Sequence, residues 1–175
     1  MATIVAVDCT DGALLAADRR VVRDGAVVGT RPHVFDLGGV GAAAVGDDPD
    51  AFRRQLDAAL RTYTEETGEP GIDAVARMAA DATAEGDVEA LVVARDESGH
   101  ARARSVTDGV LDERVAAFGS GAAPVLGRLE SIGEVALVVA ESAVREAFQA
   151  AASRDAGTGE EVDVWRLVDG GDEVA

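Results

Sequence analysis

Residues 3–20 read TIVAVDCTDGALLAADRR, and this stretch decides the fold. The apolar run Thr3–Val7 predicts a β-strand, and the pair Asp11-Gly12 is a turn signal between two apolar runs. The chain then returns through Ala13–Ala17, which predicts a second strand paired with the first. We therefore expect a β-hairpin near the start of the sequence, preceded by Ala2.

Beyond the hairpin, strand and helix patterns follow one another in blocks. The predicted order is strands, two helices, strands, two helices and a last strand, which is typical of an α+β protein. Because each sheet must cover an apolar face, the economical packing is two stacked sheets with helices on each side. The predicted strands are Ala26–Gly29, Val40–Val45, Val88–Ala94, Ala101–Val106, Arg114–Phe118 and Val162–Val168, and the predicted helices run from the Asp47–Asp50 cap to near Gly68, from Ile72 to Gly86, from Ala122 to Leu129 and from Glu134 to Ser153.

Length and composition limit the class of protein. With 175 residues, 47% of them hydrophobic, the sequence predicts one well-buried domain over residues 1–175 with a frayed tail at 170–175. No apolar run approaches the ~20 residues that span a bilayer, and no basic-then-apolar leader is present, so we expect a soluble, cytoplasmic protein with no membrane partner. The single cysteine, Cys9, excludes an internal disulfide and fits a reducing compartment.

The charge balance is strongly acidic. The sequence has 33 acidic residues against 16 basic residues, all of them arginine, and its net charge is −17. Such a surface repels itself in dilute buffer and is tolerated best where salt screens it, which favours a salt-adapted, haloarchaeal host. The alternative is an ordinary acidic protein from a GC-rich genome. No basic face is left to replace phosphate counterions, so nucleic acid is excluded as a partner.

Six short strings, spread in order over nearly the whole chain, carry a family resemblance. They are Thr3-Ile4-Val5, Asp11-Gly12 with Ala16–Arg20, Ala44-Val45-Gly46, Gly119-Ser120-Gly121, Arg154-Asp155 with Gly157-Thr158-Gly159, and Val162-Asp163-Val164. Together they resemble the β-type subunits of the 20S proteasome and, more distantly, bacterial HslV, which are N-terminal-nucleophile hydrolases. A sequence that begins directly on the strand, with no preceding helix, resembles the β type rather than the α type.

The resemblance implies a four-layer αββα sandwich and an N-terminal active site. In active members an N-terminal threonine attacks the peptide carbonyl while its own α-amine carries the proton. Aligning the hairpin with the family places Ala2 at the nucleophile position, and alanine has neither a hydroxyl nor a thiol. Thr3 follows, but adjacent strand residues point to opposite faces, so Thr3 cannot take the place of Ala2 by a one-residue slip.

A second position also departs from the family. Active members carry a lysine that favours the deprotonated hydroxyl, and the register with Val34-Phe35 places His33 there. A neutral imidazole is a poor substitute for that charge at pH 7. The remaining positions implied by the resemblance are Asp18 as the acidic partner of the lysine, Gly46 as the backbone donor to the oxyanion, Ser120 and Asp155 around the α-amine, and Thr158 where a serine is usual.

The same residues also allow interpretations without catalysis. These interpretations need no function, because an exposed ion pair contributes only ~0–1 kcal/mol to stability and a free cysteine is usually a buried apolar residue. These alternatives are a solvated loop residue for His33, a surface ion pair of Asp18 with Arg19, Arg20 or Arg31, a pair of Asp155 with Arg154, a simple strand-to-helix turn at Gly119–Gly121, and a small buried residue inside a strand for Cys9.

The patterns of cofactor and metal sites are absent from the sequence. A GxxxxGK phosphate loop needs a lysine, and Gly119-x-Gly121 lacks the third glycine of a dinucleotide fingerprint because Pro124 stands there. One cysteine and two histidines offer no zinc spacing, and Asp47–Asp50 lacks the downstream ligands of a calcium loop. We therefore expect neither a cofactor nor a metal.

Three functions remain open at this point. The first is a proteasome β-like protein without peptidase activity, acting as a structural or regulatory member of a homo-oligomer or of a co-assembly with other proteasome-type subunits. The second is an active threonine peptidase in which processing removes Met1 and Ala2 and exposes Thr3. The third is a free-standing domain that binds peptides or small molecules in the former catalytic cleft.

The excess of acidic residues predicts that folding depends on salt. Like charges repel over a screening length of ~30 Å at 0.01 M salt but only ~3 Å at 1 M. We expect the melting temperature, followed by circular dichroism, to fall as the protein is dialysed from molar to millimolar KCl. A melting temperature that stays constant across this range would remove the argument for a salt-adapted host.

Overall fold

The computed structural model describes residues 1–84 and 86–170. Within them the chain forms eleven strands and four helices in the predicted α+β order. The strands are β1 (Ile4–Cys9), β2 (Gly12–Asp18), β3 (Arg20–Arg23), β4 (Ala26–Thr30), β5 (Val34–Asp36), β6 (Gly41–Gly46), β7 (Val88–Arg95), β8 (Ala101–Val106), β9 (Val110–Leu111), β10 (Val115–Phe118) and β11 (Val162–Val168). The helices are α1 (Pro49–Thr67), α2 (Ile72–Thr83), α3 (Ala122–Glu130) and α4 (Leu137–Ala152).

The predicted hairpin forms the centre of the first sheet. β1 and β2 pair antiparallel, with Val7 opposite Leu14. β10 pairs with the other edge of β1 and β11 with the other edge of β2, so the sheet has the order β10-β1-β2-β11. Every residue of β2 is buried, which means that both faces of the hairpin are covered by other layers.

The second sheet has the order β5-β6-β7-β8-β9, and all its pairings are antiparallel. β3 and β4 form a separate two-stranded ribbon beside the two main sheets. Every residue of β4 is exposed, including Val27 and Val28. The ribbon therefore stands at the surface, next to the point where β2 ends.

Three apolar clusters define four layers. One cluster lies between the two sheets, a second between the second sheet and helices α1 and α2, and a third between the first sheet and helices α3 and α4. Ile4 belongs to the first of these clusters and Val5 to the third, as the alternation of side chains along a strand requires. The fold is therefore the αββα sandwich that the sequence predicted.

Helix α4 begins at Leu137, three residues later than predicted. Ala136 has an extended backbone and no side chain to cap the helix, but the carboxylate of Asp11 accepts a hydrogen bond from the Leu137 N–H at 2.7 Å. The turn of the first hairpin thus supplies the cap of a helix far along the chain. The sequence signal was misleading because Glu134 resembles a helix-starting residue, whereas the actual cap comes from another element.

The short strands β3, β5 and β9 were not predicted, because runs of two to four residues carry little periodicity. β8 and β11 have the predicted bounds. Of the predicted tail at 170–175, Gly170 donates its N–H to the Gly99 carbonyl at 2.8 Å, and residues 171–175 lie outside the described residues.

The layered core predicts a contrast between two valines on α4. Val144 is fully buried, whereas Val138 is 74% exposed. Val144→Ala should lower the free energy of unfolding by about 2–3 kcal/mol, because it removes two buried methyl groups and leaves a cavity. Val138→Ala is the matched control and should change it by less than about 0.5 kcal/mol. Urea unfolding measures both, and equal effects would contradict the assignment of the buried face of α4.

Candidate functional site

A cleft of about 570 Å³ lies beside the β3–β4 ribbon and reaches the ends of β6 and β7. Ala2, two residues before the start of β1, lines this cleft and is 3% exposed. The Ala2 carbonyl packs against Gly119, whose φ of +103° and close approach leave no room for a Cβ. The position predicted for the nucleophile is therefore at the cleft, and it carries only a methyl group.

Asp18 ends β2 and is fully buried. Its Oδ1 accepts the Thr3 N–H at 2.6 Å, and its Oδ2 accepts the N–H groups of Arg20 at 3.0 Å and Gly159 at 2.8 Å. Burial raises the pKa of Asp18, although the three backbone hydrogen bonds act in the opposite direction. The carboxylate thus joins three separate segments of the chain through their backbone N–H groups. No cationic side chain is paired with it among the described residues.

His33 lines the cleft and is 5% exposed. Its Nδ1 is 2.9 Å from the Asp18 carbonyl oxygen. Because a carbonyl oxygen only accepts, Nδ1 carries the hydrogen, and Nε2 keeps its lone pair in the neutral ring. Burial lowers the pKa of His33, so the ring is neutral at pH 7. At the position that the sequence predicted to correspond to the family's lysine, this chain has a neutral hydrogen-bond acceptor.

A chain of hydroxyl and carboxylate groups lies on the other side of Ala2. The Ser120 hydroxyl is 2.6 Å from both Asp155 Oδ2 and the Met1 carbonyl oxygen, and Thr158 donates to the same Asp155 oxygen at 2.6 Å. Thr158 Oγ1 is in turn 2.9 Å from Thr3 Oγ1. Burial would raise the pKa of Asp155, but the hydrogen bonds outweigh it and hold that pKa below its ordinary value. Ser120, Asp155 and Thr158 therefore form one connected network, as their grouping in the sequence prediction implied.

Gly46 ends β6 at the edge of the same cleft. Its φ is +131°, and a Cβ at this position would overlap the Asp87 carbonyl. Only glycine satisfies both conditions. The structure thus brings all seven residues predicted for the site to the cleft or to the hydrogen-bond network beside it, namely Ala2, Asp18, His33, Gly46, Ser120, Asp155 and Thr158.

The alternative interpretations as surface residues are wrong for three of these positions. His33 is buried rather than solvated, and Asp155 is hydrogen-bonded to Ser120 and Thr158 rather than paired with Arg154. Asp18 makes no ion pair with its neighbouring arginines, whose guanidinium groups have other partners. Arg19 pairs with Glu161 and Asp163, Arg31 pairs with Asp50, and Arg20 donates to the Ala156 carbonyl.

Cys9 is the last residue of β1, at the end of the strand and not inside it as expected, and it is partly buried against the core. Burial, together with nearby carboxylates, raises the pKa of its thiol to about 12. The thiol is therefore protonated at pH 7 and is a poor nucleophile. It lies at the opposite end of β1 from Ala2.

The cleft also contains charged residues that the sequence analysis did not assign to it. Asp47 was expected to serve the start of α1, but Asp48 is the cap there and accepts the Ala51 N–H at 2.9 Å. No sequence pattern indicates these residues, because they come from separate loops and strand ends that meet only when the sheets stack. They are the arginines Arg20, Arg23 and Arg31 and the carboxylates Asp47, Asp87 and Glu89.

Two further observations concern metals and membranes. Among residues 1–84 and 86–170, no group of three or more His, Cys, Asp or Glu side chains is placed to hold a metal ion. No helix in this part of the chain has the length and apolar character needed to cross a bilayer.

The αββα sandwich is the fold of N-terminal-nucleophile hydrolases, and here Ala2 lines the cleft while the buried Asp18 and the hydroxyl network bind Thr3, the next residue. The family model described as proteasome subunit matches residues 1–167. The chain belongs to the proteasome subunit family, and within it resembles the β type. A comparison with curated proteins finds no match.

The geometry around Asp18 predicts a large effect of a small substitution. Asp18→Asn should lower the free energy of unfolding by about 2–3 kcal/mol, because an amide nitrogen would face a buried N–H donor. Asp108→Asn, at an exposed turn, is the matched control and should be neutral within about 0.5 kcal/mol. Urea denaturation of both variants measures the difference. Equal stability of the two would show that the three backbone contacts of Asp18 contribute little.

Proposed function

We propose that this chain is a non-catalytic member of a proteasome-like assembly with a structural or regulatory role, and that residues 1–175 act as a single subunit domain. The observation that carries the proposal is Ala2 at the cleft, because its methyl group cannot attack a carbonyl. Gly46 and the Ser120–Asp155 pair are present around it. The surroundings of a nucleophile are thus retained, while its reacting atom is absent.

The environment of Ala2 also lacks the charge that would activate a hydroxyl. His33 is neutral and presents an acceptor, whereas an attacking alkoxide needs a nearby cation or a group ready to take its proton. Both oxygens of Asp18 already accept hydrogen bonds from backbone N–H groups, of Thr3, Arg20 and Gly159, and these bonds hold the carboxylate in place. Both features support loss of the peptidase reaction.

The alternative of a processed, active enzyme that uses Thr3 has weaker support. Thr3 is fully buried, and its Oγ1 accepts the Gly121 N–H at 2.9 Å while contacting Thr158 Oγ1. Its own N–H is bound by Asp18. Using Thr3 as nucleophile would require breaking these contacts and moving its side chain to the opposite face of the strand.

Assembly is supported by the family and by the surface. Members of the proteasome subunit family assemble into oligomeric complexes. Val27 and Val28 on the ribbon and Val138 on α4 are large apolar side chains that are more than half exposed. Val27 and Val28 are neighbours in the fully exposed strand β4, and an exposed apolar pair of this kind supports a contact with a partner at the ribbon. Light scattering in molar KCl distinguishes an oligomer from the free-standing binding domain.

The proposal predicts resistance to epoxyketone inhibitors, which react with both the hydroxyl and the amine of an N-terminal threonine. Each protein is prepared with residue 2 as its free N-terminus and analysed by intact mass spectrometry. The native sequence should show no adduct, and Ala2→Thr should show little. Ala2→Thr with His33→Lys should be labelled about tenfold faster or more than Ala2→Thr alone, because it restores both the hydroxyl and the charge.

The native sequence and the Ala2→Thr variant test separate parts of this proposal. A stoichiometric adduct on the native sequence at residue 2 or 3 would contradict the non-catalytic assignment. Labelling of Ala2→Thr alone as fast as that of the double variant would leave that assignment intact. It would show that His33 does not prevent activation of a hydroxyl at residue 2. Circular dichroism of each variant confirms that a missing adduct reflects chemistry and not unfolding.

A further inference from the structure

One side of the cleft is lined by carboxylates, which we call the acidic wall: Asp47, Asp87 and Glu89. Asp47 directly follows β6, Asp87 directly precedes β7, and Glu89 lies within β7. None of the three has an ion-pair partner within 4.0 Å among residues 1–84 and 86–170. Burial and the neighbouring Asp87 raise the pKa of Glu89, as expected for carboxylates without a countercharge.

His33 adds an independent acceptor to the same cleft. The residue is more than nine-tenths buried, and its Nδ1 is bound to the Asp18 carbonyl. Its Nε2 has a lone pair and no hydrogen-bond partner within the described residues, and the ring lines the cleft. A buried ring that is fixed on one side and unpartnered on the other is set to accept a hydrogen bond from a molecule in the cleft.

The arginines that line the cleft do not form ion pairs with the carboxylates of the acidic wall. Arg20 donates its Nη1 to the Ala156 carbonyl at 2.8 Å, and Arg31 pairs with Asp50 at 3.2 Å. Arg23 lies at the exposed end of β3. These residues come from the ribbon and from the segment that follows it, whereas the acidic wall comes from the ends of β6 and β7. None of these arginines forms an ion pair within 4.0 Å with a carboxylate of the acidic wall, so these carboxylates are available as acceptors.

We infer that the acidic wall and His33 Nε2 form a subsite for the cationic side chain of a peptide bound in the cleft, with arginine as the best fit. A guanidinium group has five N–H donors in a planar fork that matches carboxylates, and it carries no acceptor that would repel them. A cleft of about 570 Å³ accommodates such a side chain with its flanking residues. The inference rests on the proposed function in one respect, namely that the ligand is held and not cleaved.

The test compares two fluorescein-labelled, N-acetylated hexapeptides that differ only at one central residue, arginine or its neutral analogue citrulline. Fluorescence anisotropy is measured in KCl at a concentration where circular dichroism shows the protein folded. The arginine peptide should bind about five- to tenfold more tightly, since each partly exposed pair contributes up to ~1 kcal/mol. The preference should shrink as KCl is raised, because salt screens these contacts.

Variants locate the effect on the acidic wall. Asp87→Asn with Glu89→Gln should reduce the preference for arginine to less than about twofold. Glu130→Gln with Glu134→Gln removes the same number of charges from exposed positions outside the cleft and should leave the preference unchanged. His33→Lys introduces a cation beside the wall and should weaken binding of the arginine peptide more than binding of the citrulline peptide.

The outcomes separate this inference from the proposed function. Equal affinity for the two peptides, or no binding of either, would overturn the cationic subsite and leave the non-catalytic assignment untouched. Cleavage of the peptides, detected by mass spectrometry, would overturn the non-catalytic assignment, whereas faster cleavage beside arginine than beside citrulline would still support the subsite. An arginine preference that persists in the Asp87→Asn, Glu89→Gln variant would also overturn it.

Discussion

The buried carboxylate of Asp18 is the interaction on which the rest of the site depends. Its two oxygens hold the backbone of Thr3 before β1, of Arg20 at the start of β3 and of Gly159 before β11. Its own carbonyl fixes the ring of His33. A buried carboxylate is costly unless it is well hydrogen-bonded, and here backbone donors alone meet that requirement. The position of residue 2, the orientation of His33 and the shape of the cleft all follow from this arrangement.

If His33 stands at the family's lysine position, as we propose, this arrangement explains how the acidic residue remains without that lysine. An acid that depended on a cationic partner would be left as an uncompensated buried charge once that partner was lost. Asp18 has no such dependence, because its three donors belong to the backbone. Its presence therefore reflects a structural requirement and is not by itself a sign of peptidase chemistry. The two proposed departures from the family, at Ala2 and His33, therefore do not remove the backbone donors that hold this carboxylate.

The layers of the fold followed from the sequence, and the residues predicted for the site lie at or beside one cleft, but the charged residues that line this cleft were not predicted. Alternation along β1 predicted that Ala2 and Thr3 face opposite sides, and the buried contacts of Thr3 agree with that. The cap of α4 by Asp11 and the acidic wall were missed for a common reason. Both depend on residues that lie far apart in the chain and carry no local pattern, and they become neighbours only through the stacking of the two sheets.

The contacts of Asp18 also bear on how the protein reaches its folded state. The hydrogen bond from Gly159 joins residues separated by 141 positions, and the contact of Thr3 with Thr158 joins residues separated by 155. Closing loops of this length is slow and is rewarded only when both ends are in place. The hydrogen-bond network beside the cleft is thus among the last parts to be completed during synthesis, after α4 and the loop that precedes β11 have emerged. Until then, the carboxylate of Asp18 in the first hairpin of a nascent chain lacks the hydrogen bond from Gly159.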